Sequence, residues 1–329
     1  MAASQPAPDR PRIAVLGSCT ADLVFTMPRF PVAGETLFAE SVELHAGGKG
    51  LNQAIAARRL GAEALLIGRI GDDAFGRLLF DALTADDVDI TKLHIAADAG
   101  SGVAVPVVLP GGENSILSAP RANLAMSLEQ VESARDAIAT ADALLLQFEA
   151  PMDVNIAAAK VANEHGVPVI LNAAPIVPHP PEILSLATVL IVNEVEAEML
   201  TLDLGPQASP EQRAARLARI ARQVAIVTLG AEGALIAEAE TVSHVPAFPA
   251  EAVDTVGAGD AFCAAFAVAA SQGAAVVDAA RFASAAGAIS VGRRGAAPSL
   301  PVLAEVEQML GKPVITSRSH EGGTQDRRV

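Results

Sequence analysis

Between residues 127 and 228 the chain alternates between two kinds of segment. Short apolar runs at 143–147, 168–172, 189–192 and 225–228 are rich in Val, Leu and Ile and carry no polar alternation. Runs of that length and composition read as strands buried on both faces. Helical segments are expected between and around them, at 127–139, 152–165, 194–200 and 209–222. Strands that alternate with helices imply a parallel sheet covered on both sides, so the expected fold class is α/β with three layers.

The N-terminal part follows the same rhythm with interruptions. A strand is expected at 13–16, ending in Gly17 and Ser18. A helix follows at 52–60, closed by Gly61 just past its end. A strand at 64–67 and a helix at 75–86 come next. Residues 24–46 carry Pro28, Pro31 and Gly34 between short β-like runs, and 102–109 with 115–117 read as a hairpin around Pro110, Gly111 and Gly112. Segments 19–46 and 99–119 are therefore expected to form a small β element added to the main domain, the kind of addition from which lids are built. The domain is expected to span 12–312. Residues 1–11 and 317–329 are expected to be disordered tails.

Composition excludes several functions. A net charge of −15 argues against a nucleic-acid binder, which needs a basic surface. A few local cations can still hold a phosphorylated ligand inside an acidic protein. The longest apolar run, 261–270, is too short to span a bilayer. Cys19 and Cys263 read as free thiols, and residues 1–11 lack the apolar stretch of a leader, so a cytoplasmic location is expected. The six His residues show no metal-ligand spacing.

In a parallel α/β sheet, ligands bind outside the carboxyl ends of the strands. Asp22, Gln147, Glu149, Asn172, Asn193, Thr228 and Gly230 fall at such ends. Each alone would read as a turn residue; their recurrence after strands points to one shared cleft. Residues 254–260, Asp-Thr-Val-Gly-Ala-Gly-Asp, precede an apolar helix. Gly257 and Gly259 let the backbone turn and bring N–H groups close to a ligand. The helix start favours an anion. Asp260 would repel a phosphate there, unless it serves as a base that takes a hydroxyl proton as a phosphoryl group arrives.

Gly47-Gly48-Lys49-Gly50, followed by Asn52, is a second glycine-rich helix start. It is not a P-loop, because Lys49 is followed by Gly50 and Leu51 rather than Ser or Thr. A glycine-rich turn is the bland alternative. Asp22 could accept two hydrogen bonds from neighbouring sugar hydroxyls. Glu196, in Asn193-Glu194-Val195-Glu196, could hold Mg²⁺ through water, although an acidic helix start explains it equally well. Thr228-Leu229-Gly230-Ala231-Glu232-Gly233 could set backbone amides against a nucleotide or form a simple turn. Arg293-Arg294-Gly295 supplies local positive charge.

Together these residues resemble the ribokinase family of sugar kinases, the PfkB-type carbohydrate kinases. The resemblance runs from about Arg12 to Leu310. Two signatures carry it: Gly47 to Gly50 with Asn52-Gln53-Ala54, and Asp254 to Asp260. It implies a central, mostly parallel sheet flanked by helices, with a small β-sheet lid through which these kinases also form homodimers. It implies transfer of the ATP γ-phosphoryl to a primary hydroxyl of a sugar, O5 where the sugar is ribose. Asp260 matches the catalytic base, and the amides from Val256 through Gly257 and Ala258 to Gly259 match the anion hole. Asp22, Gly48, Lys49, Asn52 and Glu149 match sugar contacts, with Thr20 and Gly50 beside them. Asn193, Thr228 through Gly233, Gly259 and Ser284 match nucleotide contacts. Glu196 matches a Mg²⁺ contact through water. Asp254, Val256, Ser290, Arg293, Gly295 and Ser299 match a K⁺ site, mostly through carbonyl oxygens.

Three positions depart from the family pattern, and the first two bear on the sugar. Thr20 stands where an Asn is frequent in the family. Ala119-Pro120-Arg121 replaces a small, glycine-containing stretch, and Arg121 near a lid would favour an anionic or larger substrate or face solvent. Ser284 replaces a His or Asn. The competing readings are a kinase for fructose, a deoxysugar or a nucleoside, and a non-catalytic sugar sensor. A dehydrogenase is weaker, because Gly-x-Gly-x-x-Gly is absent after the first strand.

Overall fold

The computed structural model describes residues 10–110, 114–239 and 241–311. Thirteen strands lie in two sheets: β1 (Arg12–Leu16), β2 (Thr20–Thr26), β3 (Ser41–Gly47), β4 (Glu63–Gly71), β5 (Asp89–Ala96), β6 (Gly102–Val108), β7 (Asn114–Ala119), β8 (Ala143–Gln147), β9 (Val169–Asn172), β10 (Val189–Asn193), β11 (Val224–Thr228), β12 (Ala234–Glu238) and β13 (Thr241–Val245). Nine of them form the main sheet in the order β13-β12-β11-β10-β9-β8-β1-β4-β5. All pairs from β11 to β5 are parallel, and β12 and β13 add an antiparallel edge.

Side chains alternate between the faces of a strand, so an unbroken apolar run feeds both sides of the sheet. Ile13, Val15, Ile191 and Ile226 join one core. That core includes the helices Lys49–Arg59, Ala258–Ser271 and Val276–Val291. Ala14, Leu16, Val192 and Val227 join the other, under the helices Met152–Glu164 and Pro210–Ala218. Because β1, β8, β9, β10 and β11 run in one direction, their carboxyl ends open onto one edge of the molecule.

The remaining four strands form a separate sheet, β3-β2-β6-β7. Its register places Leu23, Phe25, Val42, Leu44, Val105 and Leu117 on one face, with Asp22 and His45 on the other. The expected hairpin is present as β6 and β7, and its turn, 111–113, lies outside the described residues. The expected tails also lie outside them, except Arg10 and Pro11.

Several expected elements shift. The first long helix starts at Lys49 rather than residue 52, and the expected helix at 127–139 breaks at Ala134 into Leu128–Ser133 and Arg135–Ala139. The expected helix at 209–222 ends at Ala218. β5, β12, β13 and the helices Val276–Val291 and Leu303–Leu310 are additions to the sequence reading.

Candidate active site

The Ala258–Ser271 helix begins at Gly257, whose φ of 83° lies in the left-handed region. A methyl there would sit 3.1 Å from both Cα and O of Ala296, so glycine is required on two counts. Asp260 lies in the first turn of the helix and is buried. First-turn N–H groups have no acceptor within their own helix. The Asp260 carboxylate accepts from Asn52 Nδ2 at 2.9 Å and from Gln53 Nε2 at 3.0 Å. Burial raises its pKa, against the Lys49 charge and the two amide hydrogen bonds. Burial also works against the Lys49 ammonium, yet the Asp260, Glu149 and Glu196 carboxylates and Cys263 outweigh it, and the Lys49 pKa rises. One cation thus serves three carboxylates.

Asp22 stands on β2 and is pushed up to about 7 by burial, then by Glu149 and Asp260. A methyl on Gly47 would lie 2.1 Å from its Oδ2, so that glycine makes room for the carboxylate. Glu149 Oε2 accepts from the Lys49 N–H at 3.1 Å and from the Ser18 hydroxyl. Thr20 is buried at the start of β2. A methyl on Gly48 would lie 2.8 Å from the Thr20 N. One on Gly50 would lie 2.5 Å from the Gly17 carbonyl carbon. Both glycines therefore serve the approach of two chain segments before they serve any ligand. Asn123 straps the same turn, accepting from Cys19 N and donating to Cys19 O, each at 2.9 Å.

On the far side of Lys49, Asn193 and Glu196 form a reciprocal helix cap. The Asn193 N–H donates to Glu196 Oε2, and the Glu196 N–H donates to Asn193 Oδ1, both at 2.8 Å. The Glu196 pKa is raised by burial, against the Asn193 N–H and Lys49. The hydroxyl of Thr228 donates to Val192 O at 3.3 Å. Leu229 is buried, while Gly230, Ala231 and Glu232 form an exposed 3₁₀ turn. Gly230 opens onto free space. At Gly233, by contrast, a methyl would meet Val245 O at 2.1 Å, so this glycine is needed by β13. Ser284 is buried on the Val276–Val291 helix.

The Asp254 loop folds against residues 290–299. Asp254 Oδ1 accepts from Val256 N at 3.0 Å and Oδ2 from Gly295 N at 2.9 Å. In this structure the Val256 N–H of the expected anion hole is thus engaged by Asp254, and the Ala258 N–H donates to Thr255 O at 3.4 Å. The hydroxyls of Ser290 and Ser299 lie 2.7 Å apart, and Ser299 also donates to Ala296 O at 2.8 Å. The Arg293 side chain pairs with Glu305, which balances the expected local positive charge. Among the described residues, no group of three or more His, Cys, Asp or Glu could hold a metal on its own.

Arg121 is exposed, in keeping with the expected alternative that it faces solvent. Its guanidinium donates to Ser101 O at 3.1 Å and lies against Gly100, while the Ser101 hydroxyl donates to Asp73 at 2.7 Å. Arg121 thus fastens the base of the β6–β7 hairpin to the main body. The sequence reading gave no role to Ser18, Gln53 or Asn155. The available signal was polar side chains inside runs that are otherwise apolar, which demands buried partners.

Known proteins share the sequence pattern and the fold of this chain. The pattern of the pfkB family carbohydrate kinases matches residues 10–303. A ribokinase of Haemophilus influenzae is 36% identical over 305 residues, covering 92% of this chain and 99% of its own. A ribokinase of Bacillus subtilis is 37% identical, covering 91% and 99%. The structure of an Arabidopsis thaliana ribokinase complexed with ribose and ATP superposes with a TM-score of 0.84 at 34% identity, covering 92% and 99%. From the fold, the buried carboxylate at the helix start and these matches, the chain belongs to the pfkB family of carbohydrate kinases.

Proposed function

We propose that the chain is an ATP-dependent ribokinase, with Asp260 as the base that activates O5 of D-ribose. One observation carries the reading: a buried carboxylate, clamped by two amides, lies at a helix start beside Lys49. The relatives that act on ribose supply the substrate.

The residues assign themselves roles by their chemistry. Asp22 and Glu149 accept from sugar hydroxyls. Asn52 Oδ1, buried without a partner among the described residues, accepts another. Asp260 takes the O5 proton as the O5–Pγ bond forms and the bond from Pγ to the ADP oxygen breaks. Lys49 and the first-turn amides after Val256 balance charge on the transferring oxygens, as donors aimed at developing charge do elsewhere. The exposed turn at Gly230, with Asn193, Thr228 and Ser284, takes the nucleotide.

Glu196 and the Asp254 loop also fit the expected ions. Glu196 Oε2 is engaged by Asn193, yet a carboxylate keeps further lone pairs for a Mg²⁺ held through water and ATP phosphates. Asp254, Ser290 and Ser299, with the carbonyls of Val256, Arg293 and Gly295, offer an all-oxygen set suited to K⁺. When bound, Mg²⁺ supplies charge on the phosphates and K⁺ supplies it behind the anion hole. If K⁺ is required, replacing it with a large organic cation lowers turnover; an unchanged rate removes it from the account.

The kinase unit spans 12–312, and segments 19–46 and 99–119 act as a lid that excludes water. The apolar face of that sheet, with Val42, Leu44 and Leu117 exposed, supports a homodimer through the lid. Leu44→Glu is expected to give monomers in sedimentation; an unchanged mass excludes that interface. A cytoplasmic location belongs to the same reading, and the buried free thiols Cys19 and Cys263 support it. No helix among the described residues is long and apolar enough to cross a membrane.

The test is ADP release coupled to ribose, deoxyribose, fructose, nucleosides and sugar phosphates, in K⁺ and Mg²⁺. Ribose is expected to give the highest kcat/KM. A clear preference for a nucleoside or fructose would replace the substrate and keep the family.

A further inference from the structure

We propose that Gln53 and Gln147 form a relay of two buried amides that holds Asp260 in its proton-accepting form, with Gln147 as a positioning residue acting through Gln53. The inference rests on Asp260 being the base.

The relay follows from donor and acceptor chemistry. An ionised carboxylate only accepts, so each amide that faces it must present nitrogen. Asn52 does so on Oδ2 and Gln53 on Oδ1. The Gln53 oxygen must then point away, and it accepts from Gln147 Nε2 at 2.7 Å. Gln53 cannot turn over alone, because its nitrogen would then face the Gln147 nitrogen. The Gln147 backbone is held, because its main-chain carbonyl accepts from Asn155 Nδ2 at 2.8 Å, and its side-chain oxygen packs against Gly17, where a Cβ would come within 2.0 Å. Gln53, Gln147 and Asn155 are all fully buried.

The orphan polar atoms mark the end of the chain of amides. Gln147 Oε1 is buried without a partner among the described residues. Such an atom is costly and is kept only where something demands that orientation. Here the demand is the Asp260 carboxylate, two hydrogen bonds away. Apart from the neutral Asn52 amide, the other groups that act on Asp260 are charged or ionisable. Lys49 comes from the Lys49–Arg59 helix, Glu149 from the loop after β8 and Asp22 from β2. Cys263 lies on the helix of Asp260 itself, and Glu196 reaches the cluster through Lys49 and Cys263. The relay is neutral, so its influence survives changes of salt that screen the charges.

The test compares kcat/KM against pH for the full chain and for Gln53→Met, Gln147→Met and the double variant, with ribose and ATP. The base must be ionised, so activity falls below its pKa. Removing a donor to the carboxylate raises that pKa and moves the acid limb to higher pH. The expected shift is about one pH unit for Gln53→Met. Gln147→Met gives a smaller shift in the same direction, with the KM for ATP unchanged. The double variant coincides with Gln53→Met, because Gln147 acts only through Gln53. An unmoved limb in Gln147→Met, or shifts that add in the double variant, overturns the relay.

Two further results keep the readings apart. Near-normal turnover in Asp260→Asn removes the base assignment itself. An inactive Asp260→Asn beside an unmoved Gln147→Met limb removes the relay alone. The ¹³C carboxyl titration of Asp260, assigned by its loss in Asp260→Asn, reads the same shift without turnover. A midpoint unmoved by Gln53→Met also overturns the proposal.

Discussion

Gly257 and Gly259 lie two positions apart, the first just before the Ala258–Ser271 helix and the second in its first turn, and the structure assigns them different work. Gly257 has a φ of 83°, and a methyl there would meet Ala296 Cα and O at 3.1 Å. The left-handed conformation costs an L-residue about 1–2 kcal/mol. Crowding against Ala296 adds about 1–2 kcal/mol more. Gly257→Ala should therefore lose about 2–4 kcal/mol and lower Tm by roughly 3–6 °C. It should also displace an anion-hole amide, for a loss of about 10²-fold in kcat. Gly259→Ala differs, because a methyl there meets nothing within 4 Å. Its Tm should match the parent while turnover and the KM for ATP suffer, since the open space is where a phosphate would approach. Thermal melts and ribose-dependent ADP release on both variants decide the matter. Parental stability in Gly257→Ala would refute the backbone argument. Parental kinetics in Gly259→Ala would refute the placement of the phosphate.

Two further outcomes follow from the charges. Asp22 has a pKa of about 7 in the folded chain against 3.8 as its ordinary value, so between those pH values the folded form holds a proton that the unfolded form releases. Unliganded stability should therefore fall as pH rises through that window, by at most about 1.4 kcal/mol per pH unit from this group. Melts of Asp22→Asn should show a flatter slope, and an identical slope would count against the buried cluster. Arg121 fastens Ser101 rather than facing a sugar. Arg121→Ala should thus cost about 1 kcal/mol of stability in a melt and leave ribose kinetics unchanged. A switch in substrate preference would return Arg121 to the site.

The main sheet was legible because its strands are short apolar runs with nothing else to become. The expected strand at 143–147 matches β8, where every residue is buried. β5 was hidden because Asp89–Ala96 has one buried residue among eight, leaving no apolar signal. β12 and β13 were hidden because an antiparallel edge breaks the rhythm that carried the reading. The helix that starts at Lys49 was placed late because Gly50 is a poor helix former. The need for it lies across space at Gly17. Within the site, Asp260, Lys49 and Asn52 were visible as a motif. Gln53 and Gln147 were not visible as a pair, since they lie 94 positions apart and meet only when β8 and the Lys49–Arg59 helix pack together. The hold of Asp254 on the Val256 amide is hidden for a related reason: the sequence shows an amide beside a glycine loop, but not its partner.

The central claim is that Asp260 accepts the hydroxyl proton during phosphoryl transfer. Single-turnover formation of ribose phosphate by Asp260→Asn tests it most directly, with ribose and ATP binding measured on the same protein. The account predicts a rate lower by about 10²–10⁴-fold with ATP affinity largely kept. A near-parental rate in that variant would contradict it.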